Sequence, residues 1–227
     1  IGWCDWSSDV CSSDLAWRSE SDPESLRHAL RQIAVGVDRA GRLVNQLLVL
    51  ARAEGGEAAQ QGHEPLDLTA LIREVVEDWV MVALEKRIDL GFEAEQPAMV
   101  SGNPVLLREM AKNLIDNALR YTPAGGHVTC RILSARLATT FEVEDDGVGI
   151  TEAQSEMVFE RFYRVDDAST EGSGLGLAIV REIAIQHNAI AMLRPNPGGR
   201  GAVARVVFPT WHPPPAPLPM PDDFSEL

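Results

Sequence analysis

The stretch "VLLREMAKNLIDNALRYTPAGGHVTCRILSARLATTFEVEDDGVGI", residues 105–150, decides the fold. Asn103 can cap a helix and Pro104 suits its first turn, so a helix is predicted from there to about residue 122. After Gly125 and Gly126, "HVTCRIL" and "TTFEVED" have the composition of two adjacent strands of a hairpin. The stretch therefore predicts a helix followed by an antiparallel strand pair.

The segments on either side extend this pattern over residues 63–209. "EPLDL", "IDLGFEA" and "AMVSG" predict short strands, and "TALIREVVEDWVMVALEKR" predicts a helix with one apolar face. Helical segments are expected near residues 152–162 and 175–187, before a last strand pair, "AIAMLR" and "AVARVVF", joined by a Gly198–Gly199 turn. The predicted class is α+β, a two-layer α/β sandwich with helices on one side of a mixed sheet.

A long helix is predicted ahead of this block. Asp22 and Pro23 supply its start signal, and "AEGGEAAQQG", residues 53–62, ends it with a flexible linker that we place at residues 55–62. Because burying a large aliphatic side chain contributes roughly 1.5–3 kcal/mol, its apolar stripe predicts a partner helix. The stripe has heptad spacing and consists of Leu26, Leu30, Ile33, Val37, Ala40, Val44, Leu47 and Ala51.

Composition narrows the classes of function. The formal charge of −14 argues against a nucleic-acid-binding surface, which needs clustered Lys and Arg. No apolar run is long enough for a membrane span, and the first residues lack the pattern of an export signal. Three cysteines give neither a disulfide framework nor paired metal-ligand spacing, and Cys130 is expected to be a buried thiol in a strand. Residues 210–227, rich in Pro, predict a disordered tail.

The first cluster of functional interest is "NLIDNALRYTP", residues 113–123. Asn113 and Asn117 are four residues apart on a helix, so both amide oxygens can point into one site. Mg²⁺ takes oxygen ligands and usually bridges protein and nucleotide phosphates. Taken alone, the pair fits helix-surface amides better.

The second cluster is "DDGVGI", residues 145–150, directly after a strand. Gly147 and Gly149 allow a sharp turn and a close approach of the backbone to a ligand. Asp145 could accept a hydrogen bond from the exocyclic amine of adenine, whereas guanine presents a carbonyl there and would leave two acceptors unpaired. An isolated stretch of this kind also fits an ordinary Asp-Gly turn.

The third cluster is "GSGLGLAIV", residues 172–180, which leads into a helix. Its three glycines and Ser173 would place unhindered backbone amides at a helix N-terminus, where the helix dipole favours phosphate. In the preceding segment Phe159 and Phe162 can anchor a hinge. The polar residues 164–171 have little to bury and should be mobile.

In this order and spacing the clusters resemble the N, G1, F and G2 boxes of sensor histidine kinases, whose ATP-binding domain belongs to the wider GHKL ATPase family with its Bergerat-type fold. The resemblance implies ATP beneath a mobile lid, with Asp145 on adenine, Asn117 and Asn113 on Mg²⁺, and Tyr121 beside the base. Arg120, Ser173 and the glycines would face the phosphates. The complete set of ATP-binding residues that it implies is Asn113, Asn117, Arg120, Tyr121, Asp145, Gly147, Gly149, Ile150, Phe159, Phe162, Gly172, Ser173, Gly174, Leu175, Gly176 and Leu177.

Asn113 separates two activities within the family. Hydrolytic relatives such as DNA gyrase carry a Glu one turn before the metal-binding Asn, where it acts as general base for water. An amide has no useful basicity, so this sequence favours phosphoryl transfer to a side chain. The alternatives are a GHKL ATPase, a serine kinase of the anti-sigma type, and a non-catalytic ATP-binding interaction module. Asn188 and Ala189 also stand where the family often has paired glycines.

The phospho-acceptor histidine that the family carries on the first helix of its dimerisation domain has no counterpart in the expected context. His28, His63, His127, His187 and His212 each fit a surface or element-end residue better. No catalytic residue is therefore assigned within the chain, which is expected to bind ATP without autophosphorylating.

The opening residues explain this expectation. Residues 5–15, "DWSSDVCSSDL", resemble the translation of a sequencing-adapter oligonucleotide, so residues 1–15 are interpreted as an artefact joined to a truncated gene. Residues 16–54 then correspond to part of the dimerisation and phosphotransfer domain, mainly its second helix, and residues 63–209 to the ATP-binding domain. The resemblance implies a homodimer through the heptad helix and a response regulator as partner. It also implies a cytoplasmic fragment whose intact parent lies at the cytoplasmic face of the inner membrane.

Overall fold

The computed structural model describes residues 62–164 and 173–211, together with residues 27, 28, 30, 32 and 33. These five early residues are helical and exposed, and they include Leu30 and Ile33 of the predicted heptad stripe. The rest of the predicted long helix, the opening residues 1–15, the linker and most of the Pro-rich tail lie outside the described residues.

Three helices follow in the main block: α1 (Leu68–Lys86), α2 (Pro104–Tyr121) and α3 (Gly176–Gln186). The carboxylate of Asp67 caps α1 by accepting from the backbone N–H of Thr69 at 2.9 Å. Asn103 caps α2 in the same way, with Pro104 at the first position. The start that the Asn103–Pro104 pair predicts is therefore confirmed, because the side chain satisfies N–H groups that have no partner within the helix.

In the part of the chain that the structure describes, seven strands form two sheets: β1 (Glu64–Asp67), β2 (Asp89–Ala94), β3 (Met99–Gly102), β4 (His127–Ser134), β5 (Ala138–Asp145), β6 (Ile190–Pro195) and β7 (Ala202–Pro209). The main sheet has the order β2-β4-β5-β7-β6, and β1 pairs with β3 in a separate antiparallel ribbon. Among the strands of the described residues, only β2 and β4 pair in parallel, with α2 in the connection between them. The predicted mixed sheet and the β4–β5 hairpin are confirmed.

One face of the main sheet packs against the helices. Cys130, Val143, Ala204 and Leu193 lie side by side across β4, β5, β7 and β6 in register, and all four are buried in the core. Cys130 is fully buried, as predicted, and burial raises the pKa of its thiol to about 12. The predicted α+β two-layer architecture is confirmed.

The opposite face of the sheet carries a row of charged side chains, which we call the charged row: Glu93, Arg131, Glu142 and Arg205, on β2, β4, β5 and β7. Arg131 binds Glu93 at 2.6 Å and Glu142 at 3.1 Å, and Arg205 binds Glu142 at 2.6 Å. Glu142 is only 5% exposed, so two guanidinium groups offset the cost of burying its charge.

One predicted helix does not form. Residues 152–162 contain two short 3₁₀ turns, Glu152–Gln154 and Met157–Phe159, instead of an α-helix. Thr151 and Gln154 make the reciprocal contacts of a capping box, which is a helix-start signal. Only Val158 and Phe159 of these turns are buried, so the segment lacks the apolar stripe that would stabilise a helix. Among the described residues, no helix has the length and apolarity needed to cross a membrane.

Candidate functional site

Asp145 ends the central strand β5 and is 9% exposed. Its Oδ1 accepts hydrogen bonds from the backbone N–H groups of Gly147 at 3.0 Å and Ala202 at 3.2 Å. Burial raises the pKa of this carboxyl above its ordinary value, and the two backbone donors partly oppose that rise. Among the hydrogen bonds of the described residues, both that reach this carboxylate end on Oδ1, which leaves Oδ2 to accept from a ligand.

The loop after β5 is held between α2 and the β6–β7 turn. A Cβ at Gly147 would collide with the backbone oxygen of Tyr121. Gly149 has φ +73°, and a Cβ there would lie 2.7 Å from the backbone oxygen of Gly201. The N–H of Val148 donates to Tyr121 O at 3.3 Å. Glycine at positions 147 and 149 is therefore required by backbone contacts on two sides.

Asn113 has a fixed orientation on α2. Its Nδ2 donates to the backbone oxygen of Glu109 at 2.8 Å and lies 3.4 Å from Glu109 Oε1. The amide oxygen must then face the other way, and a Cβ built on Gly176 would be 3.1 Å from it. The structure thus brings the first cluster of the sequence against the start of α3. Asn117 is half-buried one turn further along α2.

Arg120 and Tyr121 form the last turn of α2. The guanidinium of Arg120 binds Asp116 Oδ2 at 2.7 Å, and the two side chains are 31% and 40% exposed. Only one nitrogen of the guanidinium makes this contact, so donors remain for a second anion. Tyr121 is half-buried, and its backbone oxygen contacts the loop after β5.

The start of α3 has the features of an anion-binding end. Leu175 occupies the cap position and provides no side-chain hydrogen bond to the helix, so the first N–H groups of α3 are not capped. Ser173 Oγ accepts from the N–H of Leu175 at 3.2 Å, and Gly174 has φ +70°. Leu175 is buried in the core, whereas Leu177 is half-buried.

The two phenylalanines in the segment before the third cluster differ in burial. Phe159 packs in the core, but the side chain of Phe162 is 66% exposed. The ring of Phe162 therefore does not pack in the core, and the backbone of Phe162 makes the contact with the segment that leads into α3. Its N–H donates to Gly174 O at 2.9 Å, and a Cβ at Gly174 would lie 2.8 Å from the Phe162 backbone. Ile150 packs against the core, and Gly172 lies outside the described residues.

Sequence reasoning missed four residues around this site. Glu109 fixes the Asn113 amide, and it stands one helical turn earlier, so spacing could have revealed it. Ala202, Gly201 and Asn196 contact Asp145 from the β6–β7 turn. The Ala202 contact uses a backbone N–H, which leaves no signal in residue type.

Four of the five histidines lie among the described residues, and three of these contact other side chains or the backbone. His187 directly follows α3, at the helix end where it was predicted, and it is buried: its Nε2 accepts from the N–H of Asn103 at 3.0 Å, and its Nδ1 lies 2.7 Å from Ile183 O. His127 pairs with Asp146 at 3.1 Å. His63 stacks on His187 with ring centroids 4.6 Å apart, and His28 is exposed on a helix. His212 lies outside the described residues.

The buried carboxylate at the end of β5, the two amides on α2 and the glycine-rich start of α3 all lie in the part of the chain that one family model matches. The matching family model is "Histidine kinase-, DNA gyrase B-, and HSP90-like ATPase", over residues 102–212. Sensor protein kinase PmrB of Pseudomonas aeruginosa is 36% identical over 202 residues, which are 88% of this chain and 42% of that protein.

Two solved structures extend the comparison. Mycobacterial sensor histidine kinase MprB is 31% identical with a TM-score of 0.57, over 65% of this chain and 97% of that one. Full-length ShkA in complex with AMPPNP is 26% identical with a TM-score of 0.70, over 89% of this chain and 42% of that one. The chain belongs to the family of histidine kinase-, DNA gyrase B- and HSP90-like ATPases, as the ATP-binding catalytic portion of a two-component sensor histidine kinase. It spans about two fifths of the length of the curated relatives it matches.

Proposed function

We propose that this chain binds ATP with Mg²⁺ and donates the γ-phosphoryl group to a histidine of a dimerisation domain, from which a response regulator receives it. The observation that carries the proposal is the Asp145 carboxylate, whose Oδ1 is held by Gly147 and Ala202. The transfer forms a bond between the histidine nitrogen and the γ-phosphorus. It breaks the bond from that phosphorus to the bridging oxygen, which leaves with ADP.

Asp145 would select the base. With Oδ1 already engaged by two backbone donors, Oδ2 can accept from the exocyclic amine of adenine. Guanine would set a carbonyl against this carboxylate and leave both acceptors unpaired, at a cost of roughly 1–3 kcal/mol. Tyr121 and Ile150, both half-buried, are proposed to line the base, with Gly147 and Gly149 in the loop between them.

The phosphates would lie toward α3. Its uncapped N–H groups, with Ser173, Gly174 and Gly176, suit an anion. Asn113 and Asn117 supply oxygen donors of the kind that Mg²⁺ prefers, and the Asn113 oxygen is directed toward Gly176. When bound, Mg²⁺ would offset the charge of the phosphates. We place Arg120, Leu175, Leu177, Phe159, Phe162 and Gly172 in the surroundings of the nucleotide.

Transfer to a side chain is favoured over hydrolysis. Asn113 has its N–H donors committed to Glu109, and an amide oxygen does not deprotonate water. The attacking nitrogen of a histidine has its own lone pair and needs no strong base. The amide at position 113 therefore suits orientation of the metal and phosphates.

The remaining parts of the intact protein are also proposals. We propose that residues 16–54 belong to the dimerisation domain, that residues 55–62 link it to the ATP-binding domain at 63–209, and that residues 210–227 form a tail. Two chains would pair through the heptad helix, of which Leu30 and Ile33 are exposed. From the resemblance to sensor histidine kinases we also propose that the intact protein lies at the cytoplasmic face of the inner membrane.

Incubation of the chain with ATP labelled at the γ position tests the proposed chemistry. We expect ATP binding by calorimetry that depends on Mg²⁺, no acid-labile phosphate on the chain itself, and slow release of inorganic phosphate. Acid-labile label should appear when a dimerisation segment bearing the acceptor histidine is added. Rapid phosphate release without such a segment would instead indicate a hydrolase, and label on one of the chain's own histidines would overturn the assignment.

A further inference from the structure

The turn between β6 and β7, residues 196–201, lies directly on Asp145. Besides the N–H of Ala202 on Oδ1, the side-chain Nδ2 of Asn196 donates to the backbone oxygen of Asp145 at 3.2 Å. Gly201 packs so closely that a Cβ there would collide with the same backbone oxygen. The carboxylate and the carbonyl of one residue are thus both held by this turn.

The two polar atoms of the Asn196 side chain make different contacts. Its Oδ1 accepts from the N–H of Gly198 at 2.8 Å, which closes the turn from within. Its Nδ2 points the other way, to the Asp145 carbonyl and to Glu144 Oε1 at 3.0 Å. The backbone of Asn196 also pairs with Gly201, N–H to O at 3.0 Å. One amide therefore ties a folded turn to the end of β5.

The Glu144 carboxylate, which accepts from Asn196, is kept ionised. Glu144 binds Arg131 through Oε2, and hydrogen bonds from Arg131 and Asn196 lower the pKa of the Glu144 carboxyl. Arg131 is itself part of the charged row through Glu93 and Glu142. Hydrogen bonds to an ionised acceptor are about twice as strong as neutral ones, so the Asn196 amide has a firm anchor.

We propose that Asn196 is a positioning residue for nucleotide recognition: its Nδ2 fixes the end of β5 so that Asp145 presents Oδ2 to the base. This inference rests on the proposed function of Asp145 as the adenine acceptor. Asn196 touches no part of the nucleotide in this account, and it acts only through Asp145 and Glu144. A shift of the strand end would weaken the contact to adenine more than the contacts to the phosphates, which lie at α3.

The substitution Asn196→Asp removes the Nδ2 donor but keeps the Oδ1 acceptor. It keeps an oxygen for the N–H of Gly198, so the turn can close, but it sets a carboxylate against the Asp145 carbonyl and Glu144. Displacement of a fluorescent ATP analogue would give the affinities for ATP and for GTP. The added negative charge repels both nucleotides equally, so the ratio of the two affinities is independent of that effect. Asn188→Asp, at the end of α3, is the matched control for the same change of charge.

We expect Asn196→Asp to lower the ATP-to-GTP affinity ratio roughly fivefold to tenfold, with Asn188→Asp unchanged. Asn196→Ala should lower the ratio as well, and the melting temperature of each variant reports on folding. An unchanged ratio, or an equal loss of both nucleotides with a lowered melting temperature, would overturn the positioning role. Asp145→Asn is measured in parallel. If this variant keeps the wild-type ATP-to-GTP affinity ratio, the assignment of Asp145 to adenine fails. If Asp145→Asn loses the ratio while Asn196→Asp keeps it, only the positioning role of Asn196 is removed.

Discussion

The amide oxygen of Asn113 faces Gly176, and a Cβ at position 176 would lie 3.1 Å from it. Residues 63 positions apart in the sequence thus meet where the middle of α2 approaches the first residue of α3. The amide oxygen of Asn113 on α2 thus lies near the backbone N–H groups at the start of α3. We propose that this junction is where the phosphates and Mg²⁺ would be held.

Gly176→Ala should weaken binding of ATP with Mg²⁺ while leaving folding intact. The added methyl group displaces the Asn113 oxygen by a few tenths of an ångström, for which we expect roughly a tenfold loss of affinity, or about 1.4 kcal/mol. Alanine is the better helix former by about 1 kcal/mol, so the free energy of unfolding should stay level or rise. Calorimetry with ATP and thermal unfolding measure the two effects.

Gly91→Ala is the control for this change. A Cβ at Gly91 would lie 3.9 Å from its nearest neighbour, Thr129, which is an ordinary contact. ATP affinity should be unchanged in this variant. Wild-type affinity in Gly176→Ala would show that the junction of α2 and α3 does not hold the phosphates.

His187 should make stability depend on pH. An N–H of Asn103 can only donate and the Ile183 oxygen can only accept, so the hydrogen bonds fix His187 as neutral with its proton on Nδ1. Burial is the main reason that its pKa falls from 6.5 to about 4, and the neighbouring His63 lowers it further. Between these values the unfolded chain binds more protons, so the free energy of unfolding falls as the pH drops from 6.5 to 4.

The contribution of the buried neutral His187 to the free energy of unfolding is fully present above pH 6.5 and amounts to about 3 kcal/mol at most. Urea unfolding of His187→Gln at several pH values should show a smaller fall across the window, because glutamine does not titrate. His28→Gln, at an exposed helical position, should retain the wild-type dependence. An identical pH dependence in His187→Gln and wild type would contradict the assignment of a buried neutral imidazole.

Arg131→Met should destabilise the sheet by about 2 kcal/mol. Arg131 binds Glu93, Glu142 and Glu144, and the Glu142 side chain is only 6% exposed, so its removal leaves buried negative charge with one fewer partner. Arg181→Met is the comparison, since its partner Glu160 is 69% exposed and the pair should contribute under about 1 kcal/mol. Equal losses in the two variants, measured by denaturant unfolding, would show that burial of the charged row has no special weight.

Local signals in the sequence were sufficient for most of the elements. The Asn103–Pro104 start of α2, the β4–β5 hairpin and the strand before Asp145 follow from capping, alternation and glycine placement. The turn after α3 also forms without glycine, because Asn188 takes φ +51°, a conformation that asparagine tolerates better than most residues. These features depend on neighbours within a few residues.

The parts that sequence reasoning missed depend on distant contacts. The pairing of β1 with β3 outside the main sheet, and the parallel pairing of β2 with β4, are set by which strands meet in space. The helix expected at residues 152–162 has a start signal without enough apolar residues to bury. Ala202 holds Asp145 through a backbone N–H, which any residue except proline could supply, so no pattern of side chains marks it.

Asp145 as the acceptor for adenine is central to the proposed function, and calorimetry of Asp145→Asn with ATP tests this role. The amide can still accept from Gly147 and Ala202, so the loop should keep its shape. Because burial raises the pKa of the native carboxyl, ionised Asp145 costs stability, and the variant should be at least as stable as wild type at neutral pH. Asp78→Asn, on the surface of α1, is the control.

We expect Asp145→Asn to bind ATP at least tenfold more weakly than wild type, with Asp78→Asn unchanged. GTP should bind more tightly to Asp145→Asn, because the amide N–H₂ can donate to the guanine carbonyl that the carboxylate opposes. An amide N–H₂ turned toward the adenine amine opposes two donors, which removes the contact that selects the base. ATP affinity in folded Asp145→Asn equal to that of wild type would contradict the assignment of this carboxylate as the adenine acceptor.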